Sequence, residues 1–244
     1  MNREQWLSLL GLAEQDVPQL LVLEGTWWRQ RAERTRLPAL DDVRELGMPD
    51  LWWGRRDGVP VAWCPAYGAA RAVEPVHVLG ICGTPRVVQT GSCGGLQPGV
   101  HTGDVVASTR ASTGENASRY YGAGAASAAH PVLAERAAAA AAALGVRVHR
   151  GPTVSTDALL RQPDELVAQW AAGGHLGVDM ETSAVFSAAA AYGVQAASLL
   201  FVWDELPGRS WTDAFSPQEA AAQARASEVV FAAALSLLDM APDA

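Results

Sequence analysis

The run Gln89-Thr90-Gly91-Ser92-Cys93-Gly94-Gly95-Leu96 constrains this chain more than any other stretch, because small residues crowd together directly after the apolar Val87 and Val88. The apolar pair suits a buried strand, and the glycines read as a tight turn where that strand leaves the core. Glycine has no Cβ, so backbone N–H groups and the Ser92 hydroxyl could approach an anion or another polar ligand closely. Gly103-Asp104 then returns the chain to a strand over 104–108. A dinucleotide-binding turn is disfavoured, since Gln97-Pro98-Gly99 and Thr102-Gly103 stand where a helix would have to begin. A serine-hydrolase elbow is disfavoured too: Gly-Ser-Cys-Gly-Gly is not Gly-x-Ser-x-Gly.

Strands and helices alternate around this run. Residues 2–15 read as an amphipathic helix with Asn2 as N-cap and Trp6, Leu9, Leu10 and Leu12 on one face. Residues 17–23 read as a strand ending in Glu24-Gly25-Thr26, and 27–36 as an arginine-rich helix. Residues 52–63 read as a hairpin with Asp57-Gly58 in its turn. Helices are expected over 69–80, bent or begun by Pro75, and from Pro131 through the alanine-rich stretch that ends at 144. Two more are expected over 163–172 and over 180–192, the latter closed by Gly193. Strands are expected over 86–89, 147–153 and 194–202, the last a continuous apolar run leading to Asp204. Ser216-Pro217 opens a terminal helix reaching 238. This order predicts an α/β fold, a three-layer α/β/α sandwich with a central mixed sheet, as a single domain over 1–244.

Composition narrows the partners. At 244 residues and 49% hydrophobic content the chain can bury one large core. A net charge of -8 without a dense Lys/Arg block disfavours nucleic acid as a partner. Cys64, Cys82 and Cys93, an odd number in apolar or glycine-rich surroundings, predict reduced thiols and a cytoplasmic location. The apolar stretch at 6–10 is too short for a signal-peptide core, and no run reaches membrane-spanning length. The five histidines show no ligand spacing and Cys-x-x-Cys is absent, so no metal is expected.

Gly91-Ser92-Cys93-Gly94-Gly95 with Gly103-Asp104, then Val178-Asp179-Met180-Glu181 opening a helix, then Asp204 at the end of the next strand, together resemble the nucleoside phosphorylase and nucleosidase superfamily. That group holds purine nucleoside phosphorylase, uridine phosphorylase and the methylthioadenosine nucleosidases. The resemblance spans most of the chain; each motif alone is common, and their order and spacing carry the likeness. It implies that Glu181 accepts hydrogen bonds from ribose hydroxyls, that Met180 packs on the sugar face, and that Asp179 belongs with them at the substrate. Without the resemblance, a carboxylate here would only complement a helix dipole. The resemblance makes Asp204 the acid that protonates or hydrogen-bonds the departing base; otherwise it is a turn residue before Leu206-Pro207-Gly208.

Residues 154–161 resemble the family's base-contact loop, with Leu159 or Leu160 where an aromatic residue usually stacks. Trp203, replacing a common serine, Trp211 or Tyr120 would then supply the π face. Trp27-Trp28 and Trp52-Trp53 read as core or interface. For phosphate, Leu23-Glu24-Gly25-Thr26-Trp27-Trp28-Arg29 keeps the Gly and Arg spacing of the phosphorylases' Leu-Pro-Gly-Asp-Pro-x-Arg without its prolines and Asp. Arg44 falls near the place from which a neighbouring subunit lends a second arginine, and Ser92 would complete the anion site. As solvated surface groups, Arg29 and Arg44 would need no ligand. Gln89 stands in the phosphate set where phosphorylases carry another arginine, and its surroundings are closer to the hydrolases' Asn-Thr-Gly-Ser-Ala-Gly-Gly. Losing one charge-assisted contact costs roughly 1.5 to 3 kcal/mol.

The resemblance thus implies cleavage of a nucleoside's N-glycosidic bond with phosphate as acceptor, giving free base and ribose 1-phosphate. Phosphate is then a co-substrate and no cofactor is needed. Small molecules are the expected partners, without nucleic acid or membrane, and the protein is expected as a homo-oligomer, a dimer or hexamer. A hydrolytic nucleosidase and a non-catalytic nucleoside-binding homologue remain as alternatives.

Overall fold

The computed structural model describes residues 1–210 and 212–239. Its helices are α1 (Arg3–Leu10), α2 (Arg29–Arg36), α3 (Ala69–Cys82), α4 (Pro131–Ala143), α5 (Asp164–Ala172), α6 (Thr182–Ala191) and α7 (Pro217–Ser236). Its strands are β1 (Leu20–Gly25), β2 (Asp41–Glu45), β3 (Trp52–Arg56), β4 (Val59–Pro65), β5 (Arg86–Gly95), β6 (Val105–Gly114), β7 (Ala126–Ala128), β8 (Val148–Thr156), β9 (Gly177–Asp179) and β10 (Gln195–Glu205). They form one mixed sheet in the order β10-β6-β8-β9-β5-β1-β4-β3-β2, with β7 beside β6.

Residue alternation along β1 separates the layers. Glu24 faces α2, where Arg36 grips its carboxylate at 2.8 and 2.9 Å and reaches Ser227 of α7. Gly25, one residue on, faces the start of α6. Successive strand side chains point to opposite faces, so α2, α4 and α7 cover one side while α1, α3 and α6 cover the other. The expected α/β layering with a mixed sheet is therefore present. A further pairing, β10 with β5, closes β5, β10, β6, β8 and β9 into a ring.

Local signals account for the ends of α1 and for the starts of α4 and α7. Asn2 and Gln5 form a capping box at α1, and Ser216 and Glu219 form one at α7. α1 stops at Leu10 rather than running to 15, because Gly11 takes the left-handed conformation that ends a helix. Pro131 opens α4, and residues just before it pair as β7. Pro75 lies inside α3 instead of at its start. α7 is long and apolar enough to cross a membrane by length and composition, but half of that window is buried inside the fold, as in a core helix.

The largest departure concerns the glycine run. The expected strand over 86–89 continues unbroken to Gly95, paired with β1 on one side and β10 on the other. The small residues serve close strand packing: a Cβ on Gly91 would stand 2.9 Å from the Gly25 carbonyl oxygen, and one on Gly94 would stand 2.7 Å from the Leu206 side chain.

Candidate active site

Asp179 organises the site from below. It ends β9 fully buried, and its carboxylate accepts from Ser155 Oγ at 2.6 Å, the Thr182 amide at 2.8 Å, Thr182 Oγ1 at 2.5 Å and the Glu181 amide at 3.2 Å. The amide bonds satisfy donors at the start of α6 that the helix cannot satisfy itself. Asp179 is thus engaged by protein groups on the site's inner side, in contrast to the substrate contact expected for it.

Glu181 emerges on the other side of that junction. Its Oε1 accepts the Gly68 amide at 2.7 Å, and a Cβ on Gly25 would fall 2.6 Å from its Oε2. The turn after β1, the turn before α3 and the start of α6 therefore meet at one carboxylate, and only a glycine at 25 leaves it room. Burial pushes the Asp179 carboxyl up, but four hydrogen bonds oppose this and favour its ionised form. Burial, followed by the repulsion of Asp179, drives Glu181 up to about 8. Met180 between them is half-buried.

Asp204 lies across β5. It is buried near the end of β10, in register with Gly94, while Gly25 is in register with Gly91. Two strand spacings, plus three residues along β5 at about 3.3 Å each, separate the two ends. Ser92 is half-buried between them, on the strand they share. Gly103-Asp104 acts as a joint: the Gly103 amide binds the Val202 carbonyl, and Asp104 pairs with His149 at 2.7 Å.

The residues expected at the anion do not all converge. Gly25 does, beside Gly91. Gln89 is fully buried beneath the site, where its Oε1 accepts from Thr182 Oγ1 at 2.8 Å and from Ser198 Oγ, and its amide nitrogen lies 3.4 Å from Asp179. Its side chain belongs to the α6 junction rather than to an anion site. Arg29 opens α2 two residues past Trp27 and pairs with Asp50 at 2.8 Å and Glu33 at 3.5 Å. Arg44 sits on the edge strand β2, donates to the Gly11 carbonyl at 3.0 Å and stacks over Trp53. Three strand spacings, about 14 Å, separate β2 from β1, so Arg44 cannot serve the pocket of its own chain.

At the base end, Leu159 is half-buried and Leu160 is exposed in the segment after β8. Trp203 is the extra residue of a β-bulge between Val202 and Asp204 and packs against Phe201 and Phe215, toward α7. Tyr120 is 90% exposed, and Trp211 lies outside the described residues. Sequence reasoning missed the aromatic edge beside Glu181. Tyr67, immediately before Gly68, stacks with Trp27 at 5.6 Å and an interplanar angle of 18°. Of the tryptophans expected in core or interface, Trp27 and Trp28 are exposed on this chain, whereas Trp53 is buried. Their position shortly after Gly25 was the available signal.

A family model described as the phosphorylase superfamily matches residues 57–236. A DeoD-type purine nucleoside phosphorylase from Caldanaerobacter subterraneus subsp. tengcongensis is 33% identical over 209 residues, covering 81% of this chain and 87% of the relative. A guanosine phosphorylase from Halorubrum lacusprofundi is 30% identical over 152 residues, which is 60% of this chain and 61% of that protein. In fold, the chain superposes on a uridine phosphorylase from Vibrio fischeri with a TM-score of 0.80 at 23% identity, covering 93% of each chain. Agreement over this much of the polypeptide makes the protein a member of the phosphorylase superfamily, an enzyme of the nucleoside phosphorylase type.

Proposed function

We propose that the protein transfers the pentose of a nucleoside to inorganic phosphate, releasing free base and ribose 1-phosphate. The observation that carries this reading is the buried Glu181 carboxylate, held by Gly68 and fitted against Gly25 across β5 from Asp204. Glu181 accepts hydrogen bonds from ribose hydroxyls, and Met180 packs on the sugar. A phosphate oxygen attacks the anomeric carbon as the bond to the base nitrogen breaks. The bonding pair leaves with the base, which Asp204 protonates or hydrogen-bonds. Ser92, the backbone around Gly25 and Gly91, and Arg29 form the anion end. Phosphate is a co-substrate and no other cofactor takes part. Relatives named purine nucleoside phosphorylase and guanosine phosphorylase support a purine base.

The working unit in this reading is a homo-oligomer in which a neighbour contributes Arg44 to each anion site. One observation favours hydrolysis as the second reading: an uncharged, fully engaged Gln89 leaves no cation at that position of β5. Following base release from a nucleoside panel with and without phosphate, and identifying the sugar product, tests the choice. Phosphate-dependent formation of ribose 1-phosphate supports phosphorolysis; free ribose formed at the same rate without phosphate overturns it.

A further inference from the structure

The anion end contains a built-in competitor. Arg29 is the cation on α2 that the phosphorolysis reading assigns to phosphate, and its guanidinium already faces two carboxylates, Asp50 at 2.8 Å and Glu33 at 3.5 Å. Glu33 is an ordinary neighbour one helical turn along. Asp50 comes from elsewhere, the turn between β2 and β3, and several contacts hold it in place. The Leu46 amide closes the turn on the Leu51 carbonyl at 2.8 Å, the Asp50 amide donates to Glu45 at 2.7 Å, and Arg71 at the start of α3 donates to the Pro49 carbonyl. Asp50 also has a left-handed backbone (φ 63), which Asp and Asn tolerate better than other side-chain-bearing residues. The chain thus fixes an anionic oxygen on the fork of its phosphate-binding arginine.

We propose that Asp50 is a specificity-determining residue that occupies Arg29 as an internal anion and weakens phosphate binding until phosphate displaces it. One cation between two carboxylates gives an approaching phosphate dianion little net attraction. The Asp50 side chain is 22% exposed and that of Arg29 52%, so water screens the pair in part and its effect on phosphate is correspondingly modest. Affinity for phosphate is consequently set by exchange of one anion for another. This inference rests on the phosphorolysis reading and names the control on its second substrate.

The test compares wild type, Asp50→Asn, Arg29→Ala and the double variant, using inorganic phosphate as the titrant and reading its KM with a nucleoside substrate. Asn keeps the shape, the left-handed backbone and the Asp50 amide bond to Glu45, and melting curves check that each variant is folded. Asp50→Asn is expected to lower the phosphate KM by about two- to fivefold, seen in KM rather than kcat. Arg29→Ala is expected to raise it, and adding Asp50→Asn to Arg29→Ala should change nothing further, because Asp50 acts through Arg29. An unchanged or raised KM in Asp50→Asn overturns the proposal, as does a lowered KM that persists without Arg29. A purely structural Asp50 would move the melting temperature and leave the phosphate KM alone, which also overturns it. Failure of the underlying reading looks different: turnover is then independent of phosphate in every variant.

Discussion

Two carboxylates separated by one residue in sequence divide their labour by environment. Asp179 is pushed up by burial against several donors that favour its ionised form; Glu181 accepts the Gly68 amide at 2.7 Å, lies buried beside a like charge, and is pushed up to about 8. In the proposed reaction the ionised form of Glu181 stabilises positive charge on the sugar, so kcat/KM is expected to climb as pH rises through about 8. In Glu181→Gln that limb should vanish along with most of the activity; its persistence would assign it to another group. Stability runs the opposite way. Glu181 has its folded value raised from 4.5, so its contribution is complete below pH 4.5 and is lost as pH rises through about 8. The melting temperature of Glu181→Gln should therefore fall less between those pH values than that of wild type. Asp179→Ala strands several buried donors at once and should destabilise the fold by about 3 kcal/mol or more, measured by denaturant unfolding. The sequence made the presence of these carboxylates legible, but not their division of roles. Nothing in Val178-Asp179-Met180-Glu181 tells which side chain turns inward, because the answer lies in Ser155 and Thr182, which the fold brings to Asp179.

At the scale of elements, β5 shows why the small-residue run was misread as a turn. Glycines mark close backbone approach as readily as chain reversal, and only the partner strands distinguish the two. Here the approach is to Gly25 at Gly91 and to Leu206 and Asp204 at Gly94. Those different neighbours predict different outcomes for the same substitution. Gly91→Ala pushes a methyl against the backbone of β1, which cannot yield cheaply, and is expected to cost about 1–3 kcal/mol in unfolding free energy. Gly94→Ala meets the flexible end of Leu206 first and then Asp204 Oδ1 at 3.2 Å. Its loss should appear in kcat, with a smaller loss of stability than in Gly91→Ala; the reverse order would show that the strand contacts are assigned wrongly. Periodicity and caps made most helices legible, because Asn2, Pro131 and Ser216 act within a few residues of themselves. Closure of β10 onto β5 was not legible, since it joins segments about a hundred residues apart with no local signature.

Across the whole molecule, the position of Arg44 carries the strongest consequence. The order β5-β1-β4-β3-β2 puts it at the far edge of the sheet, on an exposed strand, away from Gly25 and Glu181 of the same chain. The sequence placed Arg44 near a lent arginine by resemblance alone; the topology adds that in its own chain it cannot reach Glu181. If neighbours exchange this residue, Glu181→Ala and Arg44→Ala are defects in different halves of a shared site. Each variant alone should turn over poorly at limiting phosphate. Dissociated, mixed in equal amounts and reassembled, hybrid dimers contain one site with both residues intact and one lacking both. With random pairing, half the dimers are hybrid and half of their sites work, so the mixture should recover about a quarter of wild-type activity. The recovery should follow the fraction of hybrids resolved by native mass spectrometry. Mixtures that form hybrids yet stay at the level of the parents would place Arg44 outside the neighbour's anion site and leave its interactions with Gly11 and Trp53 as its role.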